Sequence, residues 1–182
     1  QAFKLDNESI PITMGLYKIK QKGYMNIKEA KKIIVSLSKP DKMPGFAYGI
    51  PAAECKTGAK LRLIPNSVCA GCYALKGNYA RFPAIVQAQY KRLESIKDPR
   101  WVEAMAVVIN SEAVSKHKVF RWHDAGDVQD EEHLEKIFEV CRLTPEIQHW
   151  MPTREAWVKD HLSSCPKNLI VRLSMTMIDQ PA

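Results

Sequence analysis

Long hydrophobic runs are missing from this sequence. The longest, Ala104 to Ile109, falls far short of the roughly 18 residues a membrane-spanning helix needs. No membrane partner is therefore expected, and this run reads as the buried face of a helix. No basic-then-apolar leader opens the chain, so no secretory signal is expected. Aromatic residues amount to only 8%, and few of them interleave with the lysines of the first sixty residues as a base-stacking platform requires. No histidine precedes His117, and no second C-x-x-C occurs. A structural zinc site usually draws on two such pairs, or on one pair plus nearby histidines. The five cysteines are an odd number, which argues against a secreted disulfide scaffold.

What is present suits one folded domain, or two small ones. The chain has 182 residues, of which 46% are hydrophobic and 26% charged, enough for a core without disulfide staples. The formal charge is +7, from 27 Lys and Arg against 20 Asp and Glu. Much of the excess lies between Lys18, Lys20 and Lys22 and the pair Lys56 and Lys60. A solvated basic face is the plainer reading; an anionic small molecule or nucleic acid is the alternative.

The cysteines carry the sharpest signal. Cys69-Ala70-Gly71-Cys72 places two thiols within reach of one ion, and Cys55 lies upstream. Zinc knuckles, redox pairs and iron–sulfur sites all use such spacing. A redox dithiol prefers a helix start after a strand, whereas Pro65-Asn66-Ser67 reads as a loop. Residues 38 to 80 are rich in proline and glycine, and a loop that long inside a compact domain is usually functional. Three cysteines there suit an iron–sulfur cluster best, with a fourth iron position open or filled from elsewhere. Three unrelated thiols are the plain alternative. Cys141 reads as helix packing and Cys165 as loop or packing.

The rest of the chain alternates. Asn26 and Glu29 form a capping box ahead of Ile27, Ile33, Ile34 and Leu37. Helices are expected from Pro83 through Ile96 and after Asp98-Pro99, with Trp101, Val102, Met105, Val108 and Ile109 inward. Strands are expected at Val119–His123, Gln148–Met151 and Asn168–Ser174. Between them lie helices at Asp130–Leu143 and at Thr153–Leu162, the latter capped by Thr153. Such βαβ alternation predicts a parallel sheet whose strand C-termini share one edge, where α/β folds bind ligands. His123, Asp124 and Asp127, then Thr153 and Arg154, then Ser174 stand at that edge. Arg121 and Arg172 lie within strands expected to be apolar on both faces, so each needs a partner or an anionic ligand. Duller readings exist for single residues: Asp124 and Asp127 as helix caps, Arg121 as a partner for Asp124.

Several segments in order resemble the bacteriophage gene-product-eighty-eight family: SKPDKMPGFAYGIPAA from Ser38, then Cys55, CAGCYALKGNYA from Cys69, FRWHDAGDVQ from Phe120, WMPTRE from Trp150, and NLIVRLSMTMID from Asn168. The resemblance runs from about residue 38 to the end. That family in turn resembles radical S-adenosylmethionine proteins, which place a cluster at the top of a partial or full (β/α) barrel. The resemblance implies a cluster on Cys55, Cys69 and Cys72, and a cysteine-rich segment beyond the position where this sequence stops. The thirteen residues between Cys55 and Cys69 depart from the C-x-x-x-C-x-x-C of the radical enzymes.

The expectation is thus an α/β protein with a partial (β/α) barrel of parallel strands. Residues 1–37 form an N-terminal extension with one helix, and 38–182 an iron–sulfur domain. The expected function is a phage-encoded iron–sulfur protein in the cytoplasm of the infected host. A 4Fe-4S cluster is the foremost cofactor, with S-adenosylmethionine as a further one. His123, Asp124, Asp127, Arg154, Arg172 and Ser174 would line a pocket, and Arg121 and Arg172 would hold an anionic cofactor or substrate. The alternative is a non-catalytic protein, stabilised by a cluster or zinc, that binds nucleic acid or a host protein.

Overall fold

The structure is a computed structural model and describes residues 25–179. The irregular segment expected before residue 25, with Lys18, Lys20 and Lys22, lies outside the described residues. In chain order the α-helices are α1 (Ile27–Ile34), α2 (Lys56–Leu61), α3 (Asn78–Arg81), α4 (Pro83–Ser95), α5 (Trp101–Ile109), α6 (Glu112–Ser115) and α7 (Glu131–Leu143). The strands are β1 (Phe46–Tyr48), β2 (Val119–Trp122), β3 (Gln148–Thr153) and β4 (Leu169–Leu173). Tighter 3₁₀ turns occupy Ala52–Glu54, Tyr73–Leu75 and Ala156–Ser164.

Helix starts follow the capping chemistry in the sequence. Asn26 accepts a hydrogen bond from the Glu29 amide at 2.9 Å, and Asp130 does the same for the His133 amide at 2.8 Å. Each satisfies a donor that the first turn leaves orphaned. Pro83 takes the first position of α4, where its missing N–H costs nothing. On α4, Gln89 and Arg92 point inward, while Ile85 is exposed.

The four strands form one parallel sheet in the order β1-β2-β3-β4. Phe46 aligns with Phe120, Phe120 with His149, and His149 with Leu169. β1 was not expected from sequence: three residues between Gly45 and Gly49 are too few for an alternation to show. Thr153 ends β3 rather than capping a helix, and the segment after it winds as 3₁₀ turns. The result is a mixed α/β fold.

The core lies between one face of the sheet and the long helices. Phe120, Trp122, Met151 and Leu169 pack there with Ile34, Trp101, Met105, Leu134 and Phe138. The alternate residues of the strands point the other way. There Trp150 and Ile170 are 36% and 56% exposed, and Arg172 is exposed as well. The expectation that both faces are apolar is therefore wrong for the described residues. Arg172 needs no buried partner, because it stands on the open face.

Candidate functional site

The loop between β1 and α4 folds over the C-terminal edge of the sheet. Cys55 is the residue before α2, which begins as the chain leaves the Ala52–Glu54 turn. Ser67 fixes the next bend: its hydroxyl donates to the Leu61 carbonyl at 2.5 Å and accepts from the Ala70 amide at 3.0 Å. The end of the described chain clamps the same bend, with Val68 donating to the Thr176 carbonyl at 3.0 Å and Ile178 to that of Asn66 at 2.9 Å. Cys69 and Cys72 follow, and Cys72 leads into the Tyr73–Leu75 turn.

This folding gathers the three cysteines around one cavity of about 240 Å³. Arg121, His123, Asp124, Arg154 and Ser174 line it with them. Asp127 and Arg172 do not. Gly58 forms the floor beside the thiols. A Cβ placed on it would stand 2.9 Å from the Cys55 Cβ and 3.7 Å from both the Cys55 and Cys69 sulfurs. Among the described residues, no three His, Cys, Asp or Glu side chains stand together as a ready cage for a single ion.

Burial pushes the Cys55 thiol up to about 12, with Asp127 and the other two thiols adding to it and Arg62 opposing. Burial also raises Cys69, opposed chiefly by Arg154. Thiols held protonated by burial and by one another are poor nucleophiles on their own. A bound cation reverses that balance, because a coordinating thiol gives up its proton.

Asp124 is buried and works through neighbours that sequence reading missed. Its Oδ2 accepts from the Tyr79 hydroxyl at 3.2 Å, and its carbonyl from the Tyr73 hydroxyl at 2.5 Å. Its Oδ1 lies against Gly49, where any Cβ would collide with it. Burial raises its pKa, with the Tyr79 hydrogen bond, Arg92 and Arg121 pulling the other way. Neither Asp124 nor Asp127 caps α7, since Asp130 does. Asp127 instead accepts from the Val128 amide at 2.8 Å and the Arg154 amide at 2.9 Å, joining the loop after β2 to the end of β3. That explains its place behind the cavity wall.

His123 adopts a left-handed φ of 57°, uncommon outside glycine. It is 3% exposed, and among the described residues neither ring nitrogen has a hydrogen-bond partner. Its ring meets that of His133 edge-on at 5.3 Å. Burial, then His133 and Arg121, hold its pKa well below 6.5, so the imidazole is neutral. Arg121 does not pair with Asp124. Its guanidinium lies 4.8 Å over the Trp150 ring, and Nη1 reaches the Met43 sulfur at 3.1 Å. Ser174 extends the edge by donating its amide to the Thr153 carbonyl at 2.8 Å.

Two further residues hold the site without touching the cavity. Glu155 is buried and accepts from Thr57, steadying the helix that follows Cys55. Arg92 is buried and donates to Ser36, Ser38 and the Gly49 carbonyl. The only sequence signal for either was a charged residue in an otherwise apolar or motif-bearing segment.

A family described as gene product 88 matches residues 16–181. The match begins well before residue 38, where the resemblance was expected to start. Searches of curated proteins and of solved structures find no match, so nothing in these comparisons links the chain to radical S-adenosylmethionine proteins. Among the described residues no helix is long and apolar enough to cross a membrane. With the matched segment spanning most of its length, the chain belongs to the gene product 88 family.

Proposed function

We propose that this chain is a phage-encoded iron–sulfur protein, and that its parallel sheet is the arc of a partial (β/α) barrel. Cys55, Cys69 and Cys72 would hold the cluster, of the 4Fe-4S kind, at the C-terminal edge of the strands. One observation carries this reading: three thiols from a single loop line one cavity, and Gly58 leaves open the space beside two of them. The donor set fits. Thiolates are the ligands such clusters take, and Arg62 and Arg154 lie where they would offset the negative charge of thiolates at Cys55 and Cys69. When bound, a cluster supplies electron transfer, or an open iron for a substrate atom. S-adenosylmethionine is the co-substrate we propose for an open iron.

The remaining roles belong to the chain itself. Asp124 at the cavity wall accepts a hydrogen bond from Tyr79, whose phenol proton burial and the carboxylate hold in place. Arg154 and Ser174 would orient an anionic or polar group beside the thiols. His123, neutral and without a hydrogen-bond partner among the described residues, presents ring nitrogens that accept or donate when something enters.

Purification without oxygen, with iron, acid-labile sulfide and zinc assayed together, tests the reading. Matched iron and sulfide, lost in Cys69→Ala, is the expected result. A changed electron resonance on adding S-adenosylmethionine would extend it. Full iron and sulfide in Cys69→Ala overturns the ligand assignment. Zinc without sulfide replaces the cluster with a structural ion and makes the chain a metal-stabilised binding protein.

A further inference from the structure

We propose that a second cavity, across Tyr73 and Asp124 from the cysteines, binds a small organic anion: an apolar or flat body bearing a phosphate or carboxylate. This inference does not rest on a metal in the first cavity.

The second cavity encloses about 790 Å³, within the roughly 300–1,000 Å³ of small-molecule sites. Ala84, Ile85 and Ala88 on one face of α4 give it an apolar wall, and Tyr73 and Tyr79 close the side toward the cysteines. Lys39, Lys42 and Arg121 bring positive charge to it. Arg92 also borders it but is spent on Ser36, Ser38 and Gly49, so it shapes the wall. Of the two acids, Asp41 is exposed, and Asp124 is buried and held by the Tyr79 hydroxyl. The balance favours an anion.

Arg121 identifies the receptor. Among the described residues it forms no ion pair, and its Nε is buried without a hydrogen-bond partner. Among the described residues its one polar contact is a thioether, Met43, which is a weak acceptor. Its guanidinium carbon lies 4.8 Å over the Trp150 ring. A cation–π contact restrains a guanidinium without using its N–H donors, which are left for an oxoanion. A phosphate or carboxylate would displace the sulfur and satisfy those donors. Arg121 also lines the cysteine cavity, so an anion held there reaches the wall of the first site.

Binding of adenosine 5′-monophosphate and of indole-3-acetate, measured by calorimetry on the purified full chain, tests this. Adenosine and indole serve as the uncharged counterparts. Saturable binding of the nucleotide points to a phosphate source, and of the acetate to a carboxylate source. Either should show a Kd below about 1 mM and weaken at least tenfold, about 1.4 kcal/mol, in Arg121→Gln. Lys42→Gln, at an exposed position, should weaken it by a smaller factor, and this variant keeps the test valid if Arg121→Gln misfolds. The proposal fails if neither anion saturates. It fails equally if the uncharged compounds bind as well, or if both variants bind as tightly as the parent chain.

Discussion

Glu155, two residues past the end of β3, accepts two hydrogen bonds from Thr57: one from its amide at 2.9 Å and one from its hydroxyl at 2.8 Å. The Trp157 indole donates a third at 3.1 Å. A buried carboxylate thereby caps the helix that begins just after Cys55, and the sheet edge sets where the first thiol stands. Glu155→Ala would leave three donors without their acceptor at a half-buried site. The expected cost is about 2–4 kcal/mol of unfolding free energy, with Glu155→Gln losing less. Urea unfolding and hydrogen exchange at the Thr57 amide measure both effects. An unchanged Thr57 amide in Glu155→Ala would refute the role given to this contact.

Gly58 and Gly71 make a matched pair, because both belong to the cysteine loop. A Cβ on Gly58 would meet the Cys55 Cβ at 2.9 Å and two sulfurs at 3.7 Å, whereas one on Gly71 meets nothing within 4 Å. Gly58 sits in α2, where alanine is intrinsically better by about 0.5–1 kcal/mol. The crowding outweighs that gain, so Gly58→Ala should destabilise by about 1–3 kcal/mol and, on the proposed cluster assignment, lower the iron and sulfide recovered. Gly71→Ala should change neither. Thermal melts with metal assays decide it, and equal behaviour of the two variants would count against the packing argument.

Elements with a long period or an unambiguous cap were legible in the sequence. Asn26, Asp130 and Pro83 each mark a helix start because their chemistry acts within one turn, and β2 through β4 show as short stretches rich in β-branched or aromatic residues between the helices. β1 did not show, being three residues long, and its strand identity comes from pairing with Phe120, Arg121 and Trp122. The cavity was half legible. Cys55, Cys69 and Cys72 announced themselves by type and spacing, and His123, Asp124, Arg154 and Ser174 by their place at strand ends. Tyr73, Tyr79 and Gly49 were not legible, because their partner is Asp124, tens of residues away. Asp127 and Arg172 were misplaced for one physical reason each. A carboxylate can satisfy two backbone amides behind a wall, and the register of β4 turns Arg172 to the open face.

Arg92 has the donors of its guanidinium spread over four acceptors. Nε meets the Ser36 carbonyl at 2.7 Å, Nη2 the Ser36 hydroxyl at 3.1 Å, and Nη1 both the Ser38 hydroxyl at 3.1 Å and the Gly49 carbonyl at 3.0 Å. It thus binds the segment before β1 to the residue after it. A lysine keeps the charge but not the planar fork. Arg92→Lys should therefore cost about 2–4 kcal/mol, despite conserving charge. Denaturation midpoints of the two proteins settle this, and a difference within error would show that the fork is dispensable.

His149 ties stability to pH. Its ring is fully buried, stacks on Trp122 at 5.9 Å, and shares a hydrogen bond of 2.8 Å with the Thr144 hydroxyl. Burial lowers its pKa from 6.5 to about 4. The unfolded chain therefore takes up the proton first as pH falls. The stabilisation is complete above 6.5 and is lost as pH drops toward 4, by about 1.4 kcal/mol per pH unit. Burial of Asp124 and Asp127 raises their pKa values, which acts in the opposite sense over an overlapping range, so the whole-protein curve mixes the two. The difference between the parent chain and His149→Gln isolates the histidine. At pH 7.5 the variant should be the less stable, because glutamine packs poorly on Trp122. The gap should then shrink by about 1.4 kcal/mol per unit between pH 6.5 and 4. Urea unfolding of both proteins at pH 7.5, 6 and 5 reads it directly; a gap that stays constant would mean that His149 is protonated as readily inside the fold as outside it.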